Sequence, residues 1–145
     1  MPKAHAAINF IDPKEGKPKS MKLIGTYRLT RYYTPVKNQK RYFNKNYKND
    51  YKMNCSGDCL ITASGYRLEK KDAYKIAACP PNFKLGTKIY VTAIGELTCE
   101  DRGGAIKGMR LDIWSGIGDE GLDNLYNRPE TSGFHKVYII NLNNE

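Results

Sequence analysis

Short apolar runs broken by Gly and Pro recur along the whole chain, and nowhere does a long run of helical periodicity appear. That pattern restricts the fold more than any other feature. The run Lys22 to Pro35 has Leu23, Gly25, Tyr27 and Leu29 on one parity and stops at Pro35. Runs with strand character follow at "CLITASGYRL", "YKIAACPP", "LGTKIYVTAIG", "ELTCEDRGG", "MRLDIW" and "HKVYIINLN", each closed by turn residues. "GLDNLYNRPETSG" is the best helix candidate, with Leu122 and Leu125 on one side and Pro129 beyond. Many short strands with one short helix predict a small β-barrel with long loops, because closure removes the unpaired sheet edges.

At 145 residues the chain fits one domain large enough to bury a core without cysteine staples. Residues 1–21 are Pro-, Lys- and Gly-rich and read as a basic arm. Residues 22–145 form the domain proper, with 36–58 as a long Asn-, Lys- and Tyr-rich loop, a feature that often carries function.

The net charge of +9 is concentrated at one end. Residues 1–52 hold thirteen Lys/Arg against Asp12, Glu15 and Asp50, and six of the eleven tyrosines. Cations interleaved with rings suit an anionic polymer, either nucleic acid or bacterial cell wall. A solubilising surface is the rival explanation. No run reaches the roughly 20 apolar residues of a membrane span. "MPKAHAAINFIDPKEG" lacks the apolar stretch of an export signal, so a protein that works outside the cytoplasm needs another route or prior trimming.

Cys55, Cys59, Cys79 and Cys99 allow three pairings. Their spacings are unlike paired zinc knuckles, and His5 and His135 lie far off in sequence. Disulfides, free thiols and a four-thiolate zinc site stay open on this pattern. No cofactor is indicated.

"DRGGAIKGMRLDIW" followed by "SGIGDEG" resembles the signature of the three-aspartate (3D) domain, shared by the MltA family of lytic transglycosylases and by stationary-phase muralytic enzymes. "RYYTP", "TASG" and "FKLGTKIYV" resemble further family segments in the same order, extending the likeness over roughly residues 24–141. The resemblance implies a six-stranded double-psi β-barrel and cleavage of the MurNAc–GlcNAc bond of peptidoglycan to a 1,6-anhydro end. It places the chemistry on Asp112, with Asp101 as partner or substrate anchor. One carboxyl group suffices, because the sugar's own 6-hydroxyl is the nucleophile; ordinary glycosidases need two. An acid acting near neutrality needs a raised pKa, and burial against Ile113 or Trp114 or a charged Asp101 would supply it.

Tyr33 and Thr34 would line the groove as the family's opening strand does, and Thr62, Gly103, Gly104, Lys107, which could meet a substrate carboxylate or acetamido oxygen, and Trp114 are further candidates for substrate binding. Gly103, Gly104 and Gly108 would permit positive φ and close passage of the chain past a sugar. Each has a plainer alternative: a tight loop for the glycines, solvent for Lys107, and packing for Tyr33, Trp114 and His135. Cys79 stands where the family has its first aspartate. If the family geometry holds, a Cys79–Cys99 disulfide lies beside the site, with Cys99 and Asp101 sharing one strand face. Three functions follow: a transglycosylase, phage lysin or virion part included; a non-catalytic module binding glycan strands; or a nucleic-acid-binding barrel, which acids in the groove oppose. Peptidoglycan is the expected partner, and cell wall, periplasm or virion the expected location.

Overall fold

The computed structural model describes residues 7–13, 16 and 18–142. Residues 1–6 of the expected arm lie outside the described residues. Two further segments of the arm form a hairpin: β1 (Ile8–Ile11) pairs antiparallel with the start of β2 (Pro18–Thr34). The other strands are β3 (Ile76–Ala78), β4 (Thr87–Val91), β5 (Gly95–Asp101), β6 (Arg110–Ile117) and β7 (Gly133–Leu142). Their order is β1-β2-β6-β3-β5-β4-β7, and a β2–β7 pairing closes six of them into a barrel. The β2–β6 and β3–β5 neighbours are parallel and the others antiparallel. This is the mainly-β, six-stranded barrel expected from the sequence.

Strand alternation fills the interior. Leu29, Ile89, Val91, Leu97, Cys99, Leu111, Ile113 and Val137 are each at most 1% exposed there. Burying each large aliphatic contributes about 1.5–3 kcal/mol. A second, smaller cluster lies outside the barrel, where Trp114, Leu68 and Ile76 pack with Tyr32, Leu60, Tyr66 and Ile117. It anchors the segment containing "TASG", which forms a turn with one isolated bridge, Ile61 to Arg67, rather than a strand.

Among the described residues there are two α-helices where one is expected. α2 (Gly118–Asn127) lies where a helix is expected and begins three residues earlier than "GLDNLYNRPETSG". α1 (Tyr47–Asn54) forms inside the stretch read as loop. Its apolar periodicity is weak, and local hydrogen bonds make it instead: the Asn46 side chain caps it by accepting from the Asn49 amide. The carboxylate of Asp50, fully buried, accepts from the Tyr33 hydroxyl, the Phe43 amide (2.8 Å) and the Asn44 amide (2.7 Å). Asn54 Oδ1 accepts from the Tyr33 amide at 3.1 Å. An acidic side chain thus replaces an apolar face in fixing the insertion to β2. Asp50→Asn turns one acceptor oxygen into a donor group and should cost about 1–2 kcal/mol. Limited proteolysis should then cut within 36–54 before it cuts the barrel.

Candidate functional site

Four neighbouring strands bring one residue each to a single row. Thr30 on β2 pairs with Asp112 on β6, Asp112 with Ala78 on β3, and Ala78 with Asp101 on β5. The adjacent row, Ile113, Ala77 and Cys99, is buried inside the barrel. The Asp112 row therefore faces outward. Both aspartates open into a cavity of about 350 Å³, walled by the 102–106 turn, by α1 and the residues after it, and by Tyr32.

A bulge sets the phase. Ala77 pairs with Cys99, but the next residue, Ala78, pairs with Asp101, so Glu100 is extra. Cys99 consequently points into the barrel and Asp101 out of it. The shared strand face expected for these two is wrong, because strict alternation omits the bulge. Glu100 is not idle: its carbonyl accepts from the Ser64 amide at 3.0 Å, and its carboxylate accepts from the Ser64 hydroxyl at 3.2 Å. Cys99 is bonded to Cys79, and Cys55 to Cys59. The two bonds account for all four thiols.

Asp101 is held rigidly. Its Oδ1 accepts from the amides of Ala63 (3.0 Å) and Arg102 (2.9 Å), and its Oδ2 from the Tyr32 hydroxyl (2.8 Å). Asp112, half-buried, accepts at Oδ1 from the Thr30 hydroxyl at 2.9 Å. Burial pushes the Asp112 carboxyl up to about 6; the Thr30 hydrogen bond and the Arg110 charge oppose this, and the charge of Asp101 adds to it. Arg110 also donates to Thr30 Oγ1 from two nitrogens, each at 3.3 Å, and so fixes the hydroxyl that fixes Asp112. The Tyr32 hydroxyl is pushed well above its usual range, first by burial and then by Asp101 and Asp112.

The substrate-binding expectations divide. Gly103 and Gly104 line the cavity with the two aspartates. A Cβ on Gly103 would stand 2.9 Å from Cγ1 of Ile106, the buried plug of the turn, so that position needs glycine for close approach. Of the three loop glycines only Gly108 has positive φ, at 64°. Thr34 and Trp114 are corrections: each is at most 3% exposed and neither lines the cavity with the aspartates, while Tyr33, 1% exposed, lines a neighbouring cavity instead. Tyr33 is bound to Asp50, while Thr34 accepts from the Trp114 indole and donates to the Cys59 carbonyl. Thr62 is also buried, its hydroxyl turned to Tyr66 O and Ser64. Lys107 is exposed and off the cavity wall. His135 lies on β7, its ring against the backbone carbonyls of Thr92 and Ser132. Thr30, Tyr32 and Arg110 are the site residues that the sequence reading passed over. The i, i+2 alternation of Thr30 and Tyr32 in "LTRYYT" was the available signal.

Among the described residues, no group of three His, Cys, Asp or Glu side chains is placed to hold a metal ion. No helix of the described residues is long and apolar enough to cross a membrane.

Residues 74–126 match the family model of the 3D domain. The cell wall-binding protein YocH of Bacillus subtilis is 43% identical over 65 residues, which is 44% of this chain and 23% of that protein. The putative cell wall shaping protein YabE of the same organism is 37% identical over 65 residues, covering 16% of its length. The chain thus spans less than a quarter of either relative. Among solved structures, a variant of the Escherichia coli lytic transglycosylase MltA superposes with a TM-score of 0.48 at 13% identity, over 90% of this chain and 49% of that one. The lytic transglycosylase LtgG of Burkholderia pseudomallei superposes with a TM-score of 0.45 at 17% identity, over 89% and 49%.

Proposed function

We propose, from the premise that the chain carries a 3D domain over residues 74–126, that it is a peptidoglycan lytic transglycosylase with Asp112 as its single acid and base. The row Thr30–Asp112–Ala78–Asp101 carries this reading: it sets one half-buried carboxyl group and one firmly bonded carboxylate on the same cavity wall, two strands apart. Protonated Asp112 gives its proton to the glycosidic oxygen as that bond breaks. The carboxylate left behind takes the proton of the 6-hydroxyl as its oxygen bonds to C1, so the acid returns to its first state with no water consumed. Asp101, held by Ala63, Arg102 and Tyr32, sits where it can steady positive charge developing on the sugar ring. Cell wall is the corresponding site of action.

A second reading, a glycan-binding module without catalysis, is favoured by the name of the relative that is a cell wall-binding protein and by Cys79 at the expected place of an aspartate. Mass spectrometry of muropeptides separates the two. Digestion of purified sacculi should release fragments with 1,6-anhydro ends. Reducing ends would mean hydrolysis, and bound but undigested sacculi would leave the module.

The rate should depend on pH with a definite sign. The reaction starts from protonated Asp112, whose carboxyl titrates at about 6. The rate at low substrate concentration (kcat/KM), which reports titration of the free protein, should fall as pH rises through that value, approaching tenfold per unit beyond it. A rate that rose between pH 5 and 7, read by release of labelled fragments, would overturn the assignment of Asp112 as the acid.

A further inference from the structure

A second cavity, of about 310 Å³, adjoins the first. Both are lined by Met53 and Asn54 at the end of α1. Thr30, whose hydroxyl holds Asp112, lines the second while Asp112 lines the first. The two spaces therefore share a wall, Met53 and Asn54, and the Thr30–Asp112 pair has one member on each. The second is mainly apolar, with Leu29 and Leu125 among its walls and the aromatic rings of Phe43 and Tyr126 beside it. Those two rings are 54% and 55% exposed, a large apolar area for surface residues. Phe43 comes from the 36–58 insertion and Tyr126 from α2, so two separate elements flank the same space.

We propose that this cavity is a sugar-stacking subsite for the glycan strand beyond the cleaved bond, a reading that rests on the transglycosylase or glycan-binding function above. Adjacency to the cavity of Asp112, across the shared Met53 and Asn54 wall, selects a polymer over an isolated ligand. The chemistry selects N-acetylhexosamine: its ring offers an apolar C–H face to an aromatic side chain, and its hydroxyl and acetamido groups meet the polar residues of the lining, Asn54, Thr30, Ser132, Arg31 and Tyr33. The insertion has a function on this view. It supplies a stacking platform that the barrel strands do not provide.

The test uses the full chain carrying Asp112→Asn, so that glycans bind without being cut. Affinities for N-acetylglucosamine oligomers of increasing length are measured by calorimetry, with and without Phe43→Ala and Tyr126→Ala together. Both side chains are exposed, so melting should be unchanged, and Phe43→Tyr should retain binding. The double substitution should weaken long oligomers about tenfold and leave the shortest ones unaffected. Equal weakening at every length, or none, would overturn the subsite. So would a change in self-association or in binding to phospholipid vesicles with glycan affinity intact. Length-dependent loss by a protein that yields no anhydro products would retain the subsite and reject the transglycosylase. Failure of any oligomer to bind would reject both.

Discussion

Asp112→Asn should abolish release of anhydro-muropeptides and at the same time make the protein more stable at neutral pH. The first effect is the loss of the only group proposed to move a proton, and a fall of about 10³-fold is expected. The second follows from the same burial. In the unfolded chain Asp112 titrates near its ordinary value of 3.8, and in the fold at about 6. Folding thus favours the protonated form. The stability this contributes at low pH is lost as pH rises from about 4 through about 6, and above that range the fold carries an ill-solvated carboxylate. Asparagine cannot ionise, and its amide oxygen can still accept from Thr30. The variant should gain about 2 kcal/mol at pH 7 and little at pH 4. Melting curves of both proteins at the two pH values check this. A variant equally destabilised at both would mean that Asp112 is a structural hydrogen-bond partner rather than a destabilised acid.

Gly121→Ala should be the most damaging small substitution for the fold. The added Cβ would fall on the backbone carbonyl of Gly116, where α2 lies against β6. Neither backbone can yield easily. The Ser115 hydroxyl donates to the Gly121 carbonyl at 2.9 Å, and the Asn124 amide donates to the Ser115 carbonyl at 2.7 Å. Gly116 itself has φ of 128°, which excludes other residues there. Separating the two elements should cost about 3 kcal/mol and lower the melting temperature by about 10 °C. Calorimetry measures it directly. Gly104→Ala is the control: nothing lies within 4 Å of its added Cβ, and stability should not change.

The barrel was legible in the sequence because strand alternation and turn residues are local. Most strand runs end at their own Gly or Pro, and the interior positions of β4, β5 and β6 follow from their parity. The two aspartates were legible for another reason, an unusually specific glycine-rich loop between them. What local pattern did not carry was the geometry between strands. The bulge at Glu100 has no residue signature of its own, and missing it put Cys99 and Asp101 on one face. Trp114 looked like a groove residue because it sits in the motif, and Thr34 because it belongs to "RYYTP", which resembles the family's opening strand. The second core cluster, which buries them, forms only when the distant Leu68 and Ile76 arrive. α1 was missed because its support is a buried carboxylate and two asparagines, residues that by composition indicate a loop.

The row that joins the two acids has a consequence for how they operate as a pair. Asp112 and Asp101 are two strand spacings apart with Ala78 between them, so their Cα atoms are roughly 9–10 Å apart by the repeat of the sheet. That distance is fixed by backbone hydrogen bonds of a closed barrel, not by the pose of a loop. Binding, salt and temperature can move the walls of the cavity while the gauge between the acids stays constant. A substrate must conform to the pair, and a larger side chain at position 78 would change what fits between them without altering either carboxylate.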